Sequence, residues 1–178
     1  MTKYHIFTDG SSRGNPGPGG WGMIAMNEEE TTILWMDINQ EIDTTNNRME
    51  LKALLSALQL TEEYPEDYFI IFSDSAYTVN SFNSWMSGWA ANGWRNSKKV
   101  IVENVDLMQA LYEYKKKDFP NFEVRKCSGH SGDIGNELAD AAATKNWKKF
   151  QELVNAWEIE MPRTSYSETI GDNWFPID

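Results

Sequence analysis

The chain has 178 residues, a mass of 20.4 kDa and a formal net charge of −11. That length suits one domain with a full core, and 40% hydrophobic with 13% aromatic residues excludes intrinsic disorder. One cysteine excludes an internal disulfide framework and fits a reducing compartment; no apolar run nears the ~20 residues of a membrane span; and the acidic charge argues against a nucleic-acid partner, a conclusion the motifs oppose.

Residues 3–9 mix apolar and aromatic side chains and predict a first strand, with no apolar targeting segment before it, so a cytoplasmic location is expected. Residues 10–20 hold Gly14, Asn15, Pro16, Gly17, Pro18, Gly19 and Gly20, a composition that predicts a loop and excludes a helix. Residues 21–26 and 31–38 predict two strands around a polar turn at 27–30. Thr45 or Asn46 is placed to cap a long helix reaching about residue 62, on which Leu51, Leu54, Leu55 and Leu58 recur at helical spacing. Residues 68–72 are apolar or aromatic throughout, as in a strand buried on both faces. Residues 75–85 predict a helix, 88–99 a less regular segment near several tryptophans, and 104–116 an amphipathic helix that Pro120 stops. Residues 122–127 predict a strand, 128–135 a polar loop, and 136–150 an Ala-rich helix that extends toward 157 and ends before Pro162.

This order, β-β-β-α-β-α-α-β-α, predicts an α/β domain. Early strands joined by tight turns are antiparallel, later strands alternating with helices are parallel, and helices cover the mixed sheet.

Four acids stand where a solvated charge is not normally placed. Asp9 ends the first strand and Asp74 follows the apolar strand, so both reach the C-terminal edge of the sheet, where ligands bind in open α/β folds. Glu50 shares a helix face with Leu54 and Leu58, and Asp140 lies within the run Leu138-Ala139-Asp140-Ala141-Ala142-Ala143. Each has a plain alternative: a turn at Asp9-Gly10, a cap at Asp74-Ser75, a helix-dipole contact for Glu50, and for Asp140 an ion pair with Lys145 or a solvent-facing position. A buried carboxylate needs a partner, a raised pKa or a cation, and four together suit Mg²⁺ or Mn²⁺. Zinc does not fit, because His5, His130 and Cys127 lack ligand spacing.

Thr8-Asp9-Gly10-Ser11 with Gly14-Asn15-Pro16-Gly17-Pro18-Gly19-Gly20-Trp21-Gly22, then Thr44-Thr45-Asn46-Asn47-Arg48-Met49-Glu50-Leu51, Ser73-Asp74-Ser75, and Gly129-His130-Ser131-Gly132 with Gly135-Asn136-Glu137-Leu138-Ala139-Asp140, resemble the four motifs of the type 1 ribonuclease H (ribonuclease HI) family in order. The resemblance covers about residues 3–143. It implies the ribonuclease H-like fold, a five-stranded mixed sheet flanked by helices, here with a C-terminal extension. It implies an endoribonuclease that hydrolyses the RNA strand of RNA–DNA hybrids and leaves 5′-phosphate and 3′-hydroxyl ends. Asp9, Glu50, Asp74 and Asp140 would hold two Mg²⁺ ions, with Mn²⁺ as a substitute, for in-line attack by water. His130, in a glycine-flanked loop, would serve proton transfer and product release; a plain surface histidine is the alternative.

The same motifs imply hybrid contacts at Gly10 and Ser11, where backbone approaches a ribose, at Asn15, Asn46 and Asn47 through neutral amides, and at Thr45 to a DNA phosphate. Arg48 would join Thr45 or only brace the loop. Trp85, Trp89 and Trp94 would pack on a DNA sugar or among themselves, Trp89 and Trp94 being the site candidates. Two departures stand out. Ala76 replaces a glutamine that reaches the substrate in many relatives, and Ala90, Ala91 and Asn92 replace the lysines of the family's basic protrusion. Fewer phosphate contacts imply modest affinity and a shallow salt dependence.

The boundaries expected are a catalytic domain at 1–146 and an acidic extension at 147–178. From residue 151 on, six acids (Glu152, Glu158, Glu160, Glu168, Asp172 and Asp178) face one base, Arg163. The extension is expected to pack on its own domain, docking into a protein partner being the other reading. A monomer is expected. Competing functions are a catalytically dead domain of the same fold, an integrase or Holliday-junction resolvase, and a reverse-transcriptase domain; the retained carboxylates, the Asn46–Glu50 motif and the lack of a polymerase segment weigh against them in turn.

Overall fold

A computed structural model describes residues 1–127 and 132–161. Its sheet has five strands in the order β3-β2-β1-β4-β5. β1 (Lys3–Ser12), β2 (Gly17–Asn27) and β3 (Ile33–Thr44) form an antiparallel meander. β4 (Tyr68–Ser73) and β5 (Phe122–Lys126) add in parallel beside β1. The expected mixture of directions is therefore present, with β1 at its centre.

The segment read as a loop at 10–20 is mostly sheet. β1 runs on to Ser12 and β2 begins at Gly17, leaving only 13–16 as the turn. Strand pairing needs backbone alone, so a glycine-rich composition that excludes a helix does not exclude a strand. β3 likewise continues past 38 to Thr44.

β1 divides the core by its alternation. Ile6 faces a cluster with Leu54, Leu58, Ile71 and Leu111, beneath α1 (Asn46–Glu63) and α4 (Val105–Lys115). Phe7 faces the opposite cluster with Ile24, Leu138 and Phe150, beneath α5 (Ile134–Ala143) and α6 (Trp147–Ala156). Between β4 and α4 lie α2 (Ala76–Asn80), a π-helical turn at Ser81–Trp85 and α3 (Met86–Ala91). Helix thus extends into the segment expected to be less regular at 88–99.

The single helix expected from 136 to about 157 is two. Lys145 takes φ +56, in the left-handed region, and Asn146 caps α6 by accepting from the backbone N–H of Lys149. α6 folds back on α5, burying Phe150 and Val154. Beyond it, the Glu160 N–H donates to Thr31 O and its carbonyl accepts from Ile33 N–H, both at 2.9 Å, so the chain pairs with the start of β3. No helix among the described residues is long and apolar enough to cross a membrane.

Candidate active site

Parallel pairing of β1 with β4 ends with Thr8 opposite Ser73, so Asp9, still within β1, and Asp74, just past β4, follow at adjacent positions where that pairing stops. The Thr8 hydroxyl donates to Phe72 O at 3.1 Å and fixes that edge. Glu50 arrives from the first turns of α1, whose N-cap Thr45 accepts from Arg48 N–H at 3.2 Å. α1 comes close because residue 10 is glycine: a Cβ there would run into the Met49 carbonyl carbon and the Glu50 nitrogen. On the other face a Cβ at Gly135 would meet the Phe7 ring, so glycine lets α5 settle on β1 and bring Asp140 beside Asp9.

Carboxylate oxygens of Asp9, Glu50 and Asp74 lie within 4.8 Å of one another. Asp140 interacts with Asp9 but stands outside that triad. Asp9 is 6% exposed and Glu50 8%. Burial pushes the Asp9 carboxyl up to about 7; a hydrogen bond with Glu50 opposes this, and Asp74 and Asp140 add to it. Burial also holds Glu50 well above the usual carboxylate range, helped by Asp9 and Asp74 and opposed by a hydrogen bond from the Gly10 N–H. Glu50 Oε2 is buried without a hydrogen-bond partner among the described residues. Converging oxygens, an orphaned buried acceptor and mutual repulsion fit a divalent cation bound by oxygen ligands.

Next to this cluster, Asn15, Thr45, Asn46 and Asn47 line one open groove of about 590 Å³. Asn46 Oδ1 accepts from Ser12 N–H at 2.5 Å and ties the hairpin to α1. Glu103 and Asn104, which belong to no motif in the sequence, also line the groove. Arg48 braces: its guanidinium holds Asp106 in a fork at 3.0 and 2.8 Å. Trp89 is half-buried and tilted against exposed Trp85, with centroids 5.9 Å apart, and Trp94 packs edge-on to Tyr112 at 5.6 Å. Gly10 and Ser11 follow Asp9 directly in the last part of β1. Ala76 opens α2 and is exposed. His130 lies outside the described residues, as does the extension from 162 on.

A mixed sheet in this strand order, with acids gathered where the parallel pairing of β1 and β4 stops, defines the ribonuclease H-like class of α/β folds. The structure is similar to that of LC9-RNase H1, described as a type 1 RNase H with the type 2 active-site motif, with a TM-score of 0.70 and 23% identity over 91% of this chain and 87% of that one. It is also similar to a foamy viral protease-reverse transcriptase solved in complex with RNA/DNA hybrid, with a TM-score of 0.70 and 22% identity over 81% of this chain and 20% of the viral one.

Sequence comparison narrows the class. The RNase H family model matches residues 1–148. Ribonuclease H of Janthinobacterium sp. (strain Marseille) is 43% identical over 146 residues, 82% of this chain and 96% of that protein. Ribonuclease H of Jannaschia sp. (strain CCS1) is 44% identical over 153 residues, 85% and 95% respectively. The chain belongs to the ribonuclease H family of nucleases.

Proposed function

We propose that this enzyme hydrolyses the RNA strand of RNA–DNA hybrids endonucleolytically, leaving 5′-phosphate and 3′-hydroxyl ends. The observation that carries the reading is the meeting of buried Asp9 and Glu50 with half-buried Asp74, with Asp140 against Asp9. These four would hold two Mg²⁺ ions, or Mn²⁺ in their place, which supply activation of water and charge neutralisation at the leaving oxygen.

The chain's own residues do the rest. Asp9 and Glu50 give up protons on binding cations, because their charges are costly without one. Ser11 and the Gly10 backbone stand where a ribose is approached, and 2′-hydroxyl contacts distinguish RNA from DNA. Asn15, Asn46 and Asn47 offer uncharged amide donors and acceptors, while Thr45 and the start of α1 suit a phosphate of the DNA strand. Trp89 and Trp94 would flank a sugar of the DNA strand. His130 would carry a proton to or from the reacting phosphate. The protein would act as a monomer in the cytoplasm, in line with its lone cysteine.

The names of the curated relatives support this activity, and the hybrid-bound viral neighbour with the same fold agrees with the substrate. A dead binding module has no use for a destabilising carboxylate cluster. Asp9→Asn tests the assignment. It should keep the wild-type circular dichroism spectrum and lose Mg²⁺-dependent hybrid cleavage; retained cleavage would contradict the metal site.

A further inference from the structure

We propose that a second pocket, between the β1–β2 hairpin and the end of α5, binds a backbone phosphate of the cleaved RNA strand through Arg13 and Lys145. The proposal rests on the hybrid reading above. The pocket has a volume of about 420 Å³, and Ser11, Ser12, Gln40 and Thr144 line it with those two bases. No acidic side chain lines it, in a protein of net charge −11. Arg48, Lys52, Lys116, Lys117 and Arg125 each have a carboxylate partner. Arg13 and Lys145, like Lys148 and Lys149, have no ion-pair partner among the described residues, and what sets these two apart is that they converge on one cavity.

The end of a helix is ordinarily a poor place for an anion. Here its carbonyls are engaged. Asp140 O accepts from the Thr144 N–H and hydroxyl, Ala141 O from Asn146 N–H, Ala142 O from Lys145 N–H, and Ala143 O from Gln40 Nε2 at 3.2 Å. The same bonds pin the left-handed backbone of Lys145, so its ammonium is carried from a fixed point. Position agrees with charge. Ser11 lies two residues past Asp9 on the same face of β1, about 7 Å along a strand, the scale of one nucleotide step. Thr144 lies one helical turn past Asp140. A phosphate in this pocket would be a near neighbour of the one cleaved.

Phosphate contact and a simple helix-end charge differ in salt dependence. Binding of an RNA–DNA hybrid is measured with chelator from 50 to 200 mM salt, for wild type, Arg13→Ala, Lys145→Ala and the double variant, with Lys116→Ala as a control for net charge. Each pocket substitution should weaken binding several-fold at low salt and flatten the log–log salt slope by about 0.7–0.9, one phosphate contact. A hybrid with a neutral methylphosphonate at the contacted RNA linkage should remove the difference between wild type and the double variant. Wild type that cleaves the hybrid, with variants whose slopes match Lys116→Ala, would overturn the pocket alone. Wild type that neither binds nor cleaves the hybrid would overturn the pocket and the parent reading together.

Discussion

Burial penalises the charges of Asp9 and Glu50 and their neighbours repel them, so in the metal-free protein both carboxyls titrate above the usual carboxylate range. Asp9 titrates near 7 when folded and near 3.9 when unfolded. The folded state therefore binds a proton the unfolded chain lacks between those values. The stability this contributes is full below about 4 and is lost as pH rises through 7. Asp106 works oppositely. Its fork with Arg48 holds it at about 2, so its contribution is present above about 4 and lost as pH falls toward 2. In chelator, the urea midpoint should fall from pH 5 to pH 8, and Asp9→Asn should flatten the fall. A midpoint unchanged or rising over that range in wild type would contradict the burial argument. Mg²⁺ should raise the wild-type midpoint more at pH 8 than at pH 5.

At this scale the carboxylates were legible, because each acid interrupts an apolar pattern or ends a strand. Arg48 was not resolved between two roles, since its partner Asp106 lies 58 residues away. Arg13, Glu103 and Lys145 carried no motif; only the folded chain brings them to a groove or pocket.

Among elements, the approach of α1 to β1 decides whether Glu50 reaches Asp9. Gly10→Ala should force that contact apart, costing about 1–3 kcal/mol, the usual range for overpacking, and cutting cleavage more than stability explains. Urea unfolding and single-turnover cleavage check both; wild-type values in each would contradict the close packing. The helix run of α1 was legible from its leucines and its Thr45 cap. The hairpin of β1 and β2 was not, because Gly17, Gly19 and Gly20 carry no side-chain pattern for a strand to display. The break between α5 and α6 was hidden by the alanines before it and the lysines after it; Asn146, a good cap, was the available signal.

For the whole molecule, strand directions followed from connection lengths, and the two core faces followed from Ile6 and Phe7 pointing opposite ways. The chain after 146 is joined to the second core through Phe150, Val154 and Ile159. Phe150→Ala should therefore destabilise the protein globally by about 3–5 kcal/mol, in one unfolding transition. Loss of α6 helicity alone, with the rest unaffected, would contradict a shared core. Net charge misled because it is a sum: the clustered carboxylates and the six acids of the extension add to it, while the groove by α1 carries mostly neutral amides. As proposed, this cluster cleaves RNA only when it is paired with DNA. The direct measurement is cleavage of a strand-labelled RNA–DNA hybrid beside single-stranded RNA, double-stranded RNA and double-stranded DNA, with Mg²⁺ or chelator. Mg²⁺-dependent cutting confined to the RNA strand of the hybrid is the result expected. Equal cutting of the other substrates, or none of the hybrid by folded protein with Mg²⁺ or Mn²⁺, would contradict it.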